Sequence, residues 1–170
     1  MPAEPDNAPT RLLKIIARIE DGILVLLLSV MIGLAFLQIV LRNFFQYGFT
    51  DGDHLLRILV LWVGLFGAIV ASRERKNINI DVLSRYLDGL AKALVDMVID
   101  LFVVLVAGLF AYHSARLLVQ EYALEILVLG AVPSWLVQLV IPLAFTVIAL
   151  RYLLFSVTHV REVMAGLRQR

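Results

Sequence analysis

Three pairings in this sequence bring reactive side chains within reach of acting together. Asp96 and Asp100 stand four residues apart, and on a helix that spacing sets two carboxylates on one face, the start of a cation or proton site. Asp53 precedes Arg57 by the same interval, the favourable order for a helical ion pair, worth about 0.5 kcal/mol when exposed. His54 and His113 are distant in sequence, yet two imidazoles at like depth on different helices could ligate a b-type haem. The third histidine, His159, reads as solvated in a C-terminal tail. Cysteine is absent, which excludes disulfides, thiolate zinc sites and cysteine-ligated iron–sulfur clusters.

The elements that must hold these groups follow from composition. The chain has 170 residues, 61% of them hydrophobic and 17% charged, with a mean hydropathy of +0.91. An average soluble domain is roughly 45–50% apolar and about 25% charged, so this chain requires lipid as part of its solvent. A net charge of +1 gives no basic field for a phosphate backbone and argues against a nucleic-acid partner. A bilayer core of about 30 Å needs about 20 helical residues, and four stretches qualify: 22–41, 55–72, 94–119 and 134–155. None shows the period-two alternation of barrel strands. The expected fold is therefore all-α and integral to the membrane, with four transmembrane helices in a single membrane domain over residues 1–170. Residues 1–10, with three prolines, read as a flexible tail. The first span differs from a secretory signal, being too long for an h-region and lacking a small-residue cleavage site between Gln38 and Phe45.

Basic residues set the expected orientation. Arg11, Lys14 and Arg18 precede the first span; Arg73, Arg75, Lys76, Arg85 and Lys92 fill the connection between spans two and three; Arg161, Arg168 and Arg170 follow the fourth. The opposite side holds only Arg42, Arg57 and Arg116, beside Asp51, Asp53, Glu121 and Glu125. Both termini are thus expected in the cytoplasm. Residues 11–20 alternate apolar and basic side chains as an interfacial lead-in helix would, and residues 79–92 read as an amphipathic helix on the cytoplasmic surface. An ordinary cytoplasmic extension of the third span is the plainer alternative for that second segment.

Depth separates the candidate sites. An ionised group near the bilayer centre costs about 2.5–3.5 kcal/mol on insertion scales, so each needs a reason to be there. Asp100 and Arg151 fall at similar depths near the cytoplasmic ends of spans three and four, and an intramembrane Asp100–Arg151 ion pair is the favoured reading over a cation or proton site. Such a site requires deeper partners or an interrupted helix. His113 lies roughly 27 Å along span three at about 1.5 Å per residue, while His54 sits at the membrane boundary, which leaves haem ligation as the minor reading. Arg57 could pair with Asp53, reach lipid phosphates or bind a partner subunit; Trp62, Gly64, Gly67, Ala68 and Ala71 on the same span favour helix contact. In span four Pro133 suits the first helical position, and Pro142 in mid-span is expected to kink the helix for packing.

The order of these features is itself informative. Asp53-His54-Leu55-Leu56-Arg57, then Trp62-Val63-Gly64-Leu65-Phe66-Gly67-Ala68, then Arg73 and Asn77-Ile78-Asn79-Ile80-Asp81-Val82-Leu83 resembles the small membrane subunit of tripartite ATP-independent periplasmic (TRAP) transporters. That family typically shows an acidic pair, an Arg, a Trp, a Gly-Ala pair and a His-Ile-x-Val-Asp-like stretch at this spacing. The resemblance extends to Val132-Pro133-Ser134-Trp135, Ile141-Pro142 and Arg151-Tyr152. Departures occur at His54 for the second acid, Asp51 for the preceding aromatic and Asn77 for the later His; they bear on the contacts of the outer loop.

The resemblance implies a subunit that is not an enzyme and holds no cofactor, in the cytoplasmic (inner) membrane of a bacterium or archaeon. It implies a large multi-span transport subunit as partner, which carries the Na⁺ and substrate sites, and a periplasmic solute-binding protein that delivers an organic acid or similar solute. The small subunit would scaffold the large one among the membrane lipids. Arg57, Trp62, Gly64 and Gly67 would then serve helix packing or the partner interface, and Asp51 and Asp53 would meet the binding protein. The rivals from other classes are a haem-carrying membrane anchor of a respiratory enzyme, through His54 and His113, and a self-sufficient small homo-oligomeric transporter.

Overall fold

The computed structural model describes residues 8–44, 50–73, 90–128, 130 and 132–168. Four helices long and apolar enough to cross a membrane account for most of them, at Lys14–Phe44, Gly52–Arg73, Leu94–Ala123 and Ser134–Val157. Helix is what such sequences must form, because each backbone amide facing lipid needs a partner within its own segment.

The first compact unit, Met1–Val70, contains α1 (Ala8–Phe44) and most of α2 (Thr50–Arg73). Helix α1 begins at Ala8, so the last three residues of the segment read as a tail are helical, and the lead-in at 11–20 is continuous with the span. At 37 residues it is about 55 Å long. No residue in its most apolar stretch is buried.

The second unit, Ala71–Arg170, contains the last turn of α2, then α3 (Leu90–Ala123), the two-residue strands β1 (Leu127–Val128) and β2 (Val132–Pro133), the short helix α4 (Ser134–Gln138) and α5 (Val140–Arg168). Helices α3 and α5 form its principal packed pair. Residues 79–89 of the expected amphipathic segment lie outside the described residues, and 90–92 open α3.

Hydroxyls within the spans are satisfied locally. Ser29 Oγ donates to the Val25 carbonyl at 2.8 Å, Ser114 Oγ to that of Phe110 at 2.6 Å, and Thr146 Oγ1 to that of Pro142 at 2.6 Å, each folding back on the preceding turn.

Pro133 stands one position earlier than expected: it is the N-cap of α4 in extended geometry (φ −62°, ψ 133°), and Ser134 is the first helical residue. Pro142 lies ahead of the middle of the span Ser134–Val157. Proline has no N–H to give residue 138 and its ring crowds that carbonyl. The helix is accordingly interrupted at Leu139, which keeps right-handed helical geometry (φ −56°, ψ −28°) and donates to Trp135 O at 3.0 Å. The ladder resumes when Leu143 N donates to Leu139 O at 3.4 Å.

Candidate functional site

The enclosed polar groups among the described residues are Ser72, Asp100 and Ser134, and they lie toward opposite ends of the α3–α5 pair. At one end Asp100 is the largest fully buried side chain, with 0% of its surface exposed. It arises three turns into α3, where residues 98–104 are otherwise Val, Ile, Leu and Phe. Arg151 of α5 is half-buried, and its Nη1 donates to Ser72 Oγ at 3.1 Å. A guanidinium with five donors can hold a hydroxyl and still serve an acid, and the enclosed carboxylate requires such a counter-charge or hydrogen-bond donors. Asp96, one turn before Asp100, is half-buried.

The middle of the pair is apolar. Ala107 and Ala144 are buried, which lets the two helices approach, and the rings of Phe110 and Phe145 stack with centroids 4.9 Å apart and planes 18° apart. Close approach at the two alanines and ring stacking beside it leave dispersion and apolar burial to hold the seam.

At the other end Ser134 Oγ donates to Glu121 Oε2. Ser134 is 3% exposed. Tyr122 and Trp135, the next residue along each helix, meet edge to face with centroids 5.7 Å apart. Between them α3 stops where Glu125 takes a left-handed backbone (φ 49°), the geometry that ends helices and normally selects Gly. Strands β1 and β2 then pair antiparallel, Leu127 opposite Pro133 and Val128 opposite Val132. Gly130 supplies the second positive φ, 72°. The Glu121–Ser134 contact escaped the reading of the sequence; the signal available was an acid and a hydroxyl flanking a short Gly-containing connection between two spans.

The α2 candidates belong to the first unit. Asp51 lies in the first turn; Asp53, His54 and Arg57 are exposed, and Trp62 is half-buried. Gly64 is exposed and Gly67 half-buried, and a Cβ at either would meet nothing within 4 Å. Within the first unit the glycine-bearing face thus has room for a close neighbour. His113 is exposed on α3, its ring edge-on to Tyr112 at 5.3 Å. Among the described residues no cluster of three or more His, Cys, Asp or Glu could hold a metal ion.

Comparison with known proteins gives these features a context. Residues 31–162 match the family described as tripartite ATP-independent periplasmic transporters, DctQ component. A protein of Haemophilus influenzae named as a TRAP transporter small permease protein is 26% identical over 112 residues, covering 66% of this chain and 68% of the relative. A second protein of that organism with the same name is 28% identical over 79 residues, covering 46% of this chain and 49% of the relative. This family comprises transporter subunits rather than enzymes and supports neither the haem-anchor reading nor the self-sufficient transporter. With four membrane-length helices and a match across most of its length, the chain belongs to the DctQ component family of TRAP transporters, as a small permease subunit.

Proposed function

We propose that this subunit is the non-transporting scaffold of a Na⁺-coupled, binding-protein-dependent secondary transporter that imports an organic acid or similar small solute. The observation that carries this reading is the α3–α5 seam. Its polar groups are engaged near the two ends, and between them Ala107 and Ala144 are buried while Phe110 stacks on Phe145, which suits a rigid support better than a solute path. Transporter sites near the midplane ordinarily use unwound backbone and exposed polar groups.

In this reading Asp100 and Arg151 form an intramembrane ion pair that fixes α3 against α5, with Ser72 joining the end of α2 to it. The open glycine face of α2, with Trp62 and Arg57 on the same helix, meets the large transport subunit. Asp51 and Asp53 face the periplasmic binding protein, and both termini lie in the cytoplasm of a cell whose inner membrane houses the complex. Close approach at small residues is the usual basis of helix association in lipid.

Reconstitution tests the proposal. Vesicles holding this chain with its large subunit should accumulate solute when given a Na⁺ gradient and the loaded binding protein, while vesicles holding this chain alone should not. Uptake by the chain alone would overturn the scaffold role; uptake by the pair without Na⁺ would overturn the coupling.

A further inference from the structure

We infer that the hairpin between α3 and α4 is embedded at the boundary between lipid headgroups and acyl chains and holds that end of the helix pair in the membrane, its occupant being phospholipid rather than protein. The inference goes beyond the scaffold role and does not depend on which solute is carried.

Two membrane-length helices end at Ala123 and begin at Ser134, so the connection cannot travel far from the bilayer. What it presents there is apolar: Leu124 is 67% exposed, Leu127 58%, Ile126 43% and Val132 38%. Charge is confined to Glu125, at the left-handed turn that starts the hairpin, and to Glu121, which is half-buried and accepts the Ser134 hydroxyl. A surface of this kind is not ordinarily left in water.

The backbone fits a layer poor in water. The strands pair with each other, Ser134 N donates to Ile126 O at 2.8 Å, and Leu124 N donates to Gln120 O at 3.1 Å. Polar backbone groups entering the edge of the hydrocarbon must be satisfied within the protein. Tyr122 and Trp135 mark the depth, one at each foot of the hairpin, as amphipathic rings do at membrane interfaces.

The ribbon itself distinguishes lipid from a protein partner. Successive residues of a strand point to opposite faces, so Leu127, paired with Pro133, and Val132, paired with Val128, belong to opposite faces. Both are exposed. A docked protein would cover one face, whereas a fluid layer surrounds both. A soluble partner that comes and goes would also return the patch to water at every release.

Because the chain has no cysteine, single labels report cleanly. The full chain, carrying Leu127→Cys or Val132→Cys with a nitroxide label, is placed in phosphatidylethanolamine–phosphatidylglycerol vesicles alone and with the large subunit. Collision rates with oxygen and with an aqueous nickel chelate are then measured. Both labels should collide with oxygen several-fold more readily than with nickel, in both preparations. Two results would overturn the inference: nickel access at either position equal to that of free label, which means water, or loss of access to both reagents when the large subunit is present, which means a protein occupant. The two exposed positions serve as independent checks should one variant fold poorly.

Discussion

Arg151 Nη1 hydrogen-bonds to Ser72 Oγ at 3.1 Å across 79 residues of sequence, tying the last turn of α2 to the far part of α5. Near the same end of the α3–α5 pair, Asp100 is completely enclosed.

If Asp100 and Arg151 share their charges, removing either strands the other. Asp100→Ala and Arg151→Met should each destabilise the chain by about 3 kcal/mol, and the double variant should lose clearly less than the sum. Ser72→Ala should cost about 1 kcal/mol. Thermal unfolding in detergent measures all four; strictly additive losses would refute the pair.

The Glu121–Ser134 contact closes the opposite end. Ser134→Ala should cost about 1.5–3 kcal/mol, as expected for a buried hydrogen bond to a charged group, and Glu121→Gln should cost less because the amide still accepts. Equal losses would mean that the carboxylate charge matters beyond the hydrogen bond.

Backbone geometry gives opposite signs at two positions of the hairpin. Glu125 and Gly130 both have positive φ, which costs an L-residue about 1–2 kcal/mol. Glu125→Gly should stabilise by about 1 kcal/mol, and Gly130→Ala should destabilise by a similar amount, although the added Cβ at 130 meets nothing within 4 Å. The same melting experiment reads both.

On α2 the expected effect is on assembly. A Cβ at Gly64 or Gly67 enters open space, so Gly64→Val and Gly67→Val should shift the stability of the isolated chain by no more than about 1 kcal/mol. Both should reduce co-purification of the large subunit. Unchanged recovery of the pair would remove this face from the proposed interface.

Much of this architecture was legible in the sequence because membrane helices announce themselves by length and apolarity. Four helices of membrane length are present, and Pro142 interrupts the ladder through its missing N–H. The less legible parts depend on short-range geometry. That α1 continues from Ala8 through the charged lead-in reflects helix propagation, which continues through polar residues once a nucleus exists. The Glu121–Ser134 contact depends on a hairpin whose register no periodicity encodes, since its strands are two residues each. Asp100 was legible as an anomaly, whereas the choice of Ser72 as an acceptor for Arg151 required three-dimensional placement.

The length of α1 has a mechanical consequence. A rod of about 55 Å cannot fit inside a hydrocarbon layer of about 30 Å even at the steepest tilt seen for membrane helices, about 40°. Some 16 Å or more must project beyond it, and the charged stretch from Arg11 to Asp21 is the part suited to do so. Because stub and span are one unbroken helix, a force applied to Arg11, Lys14 or Arg18 becomes a torque on the span. The N-terminal arm is a lever, through which surface charge or a contact outside the hydrocarbon can set the tilt of the first membrane crossing.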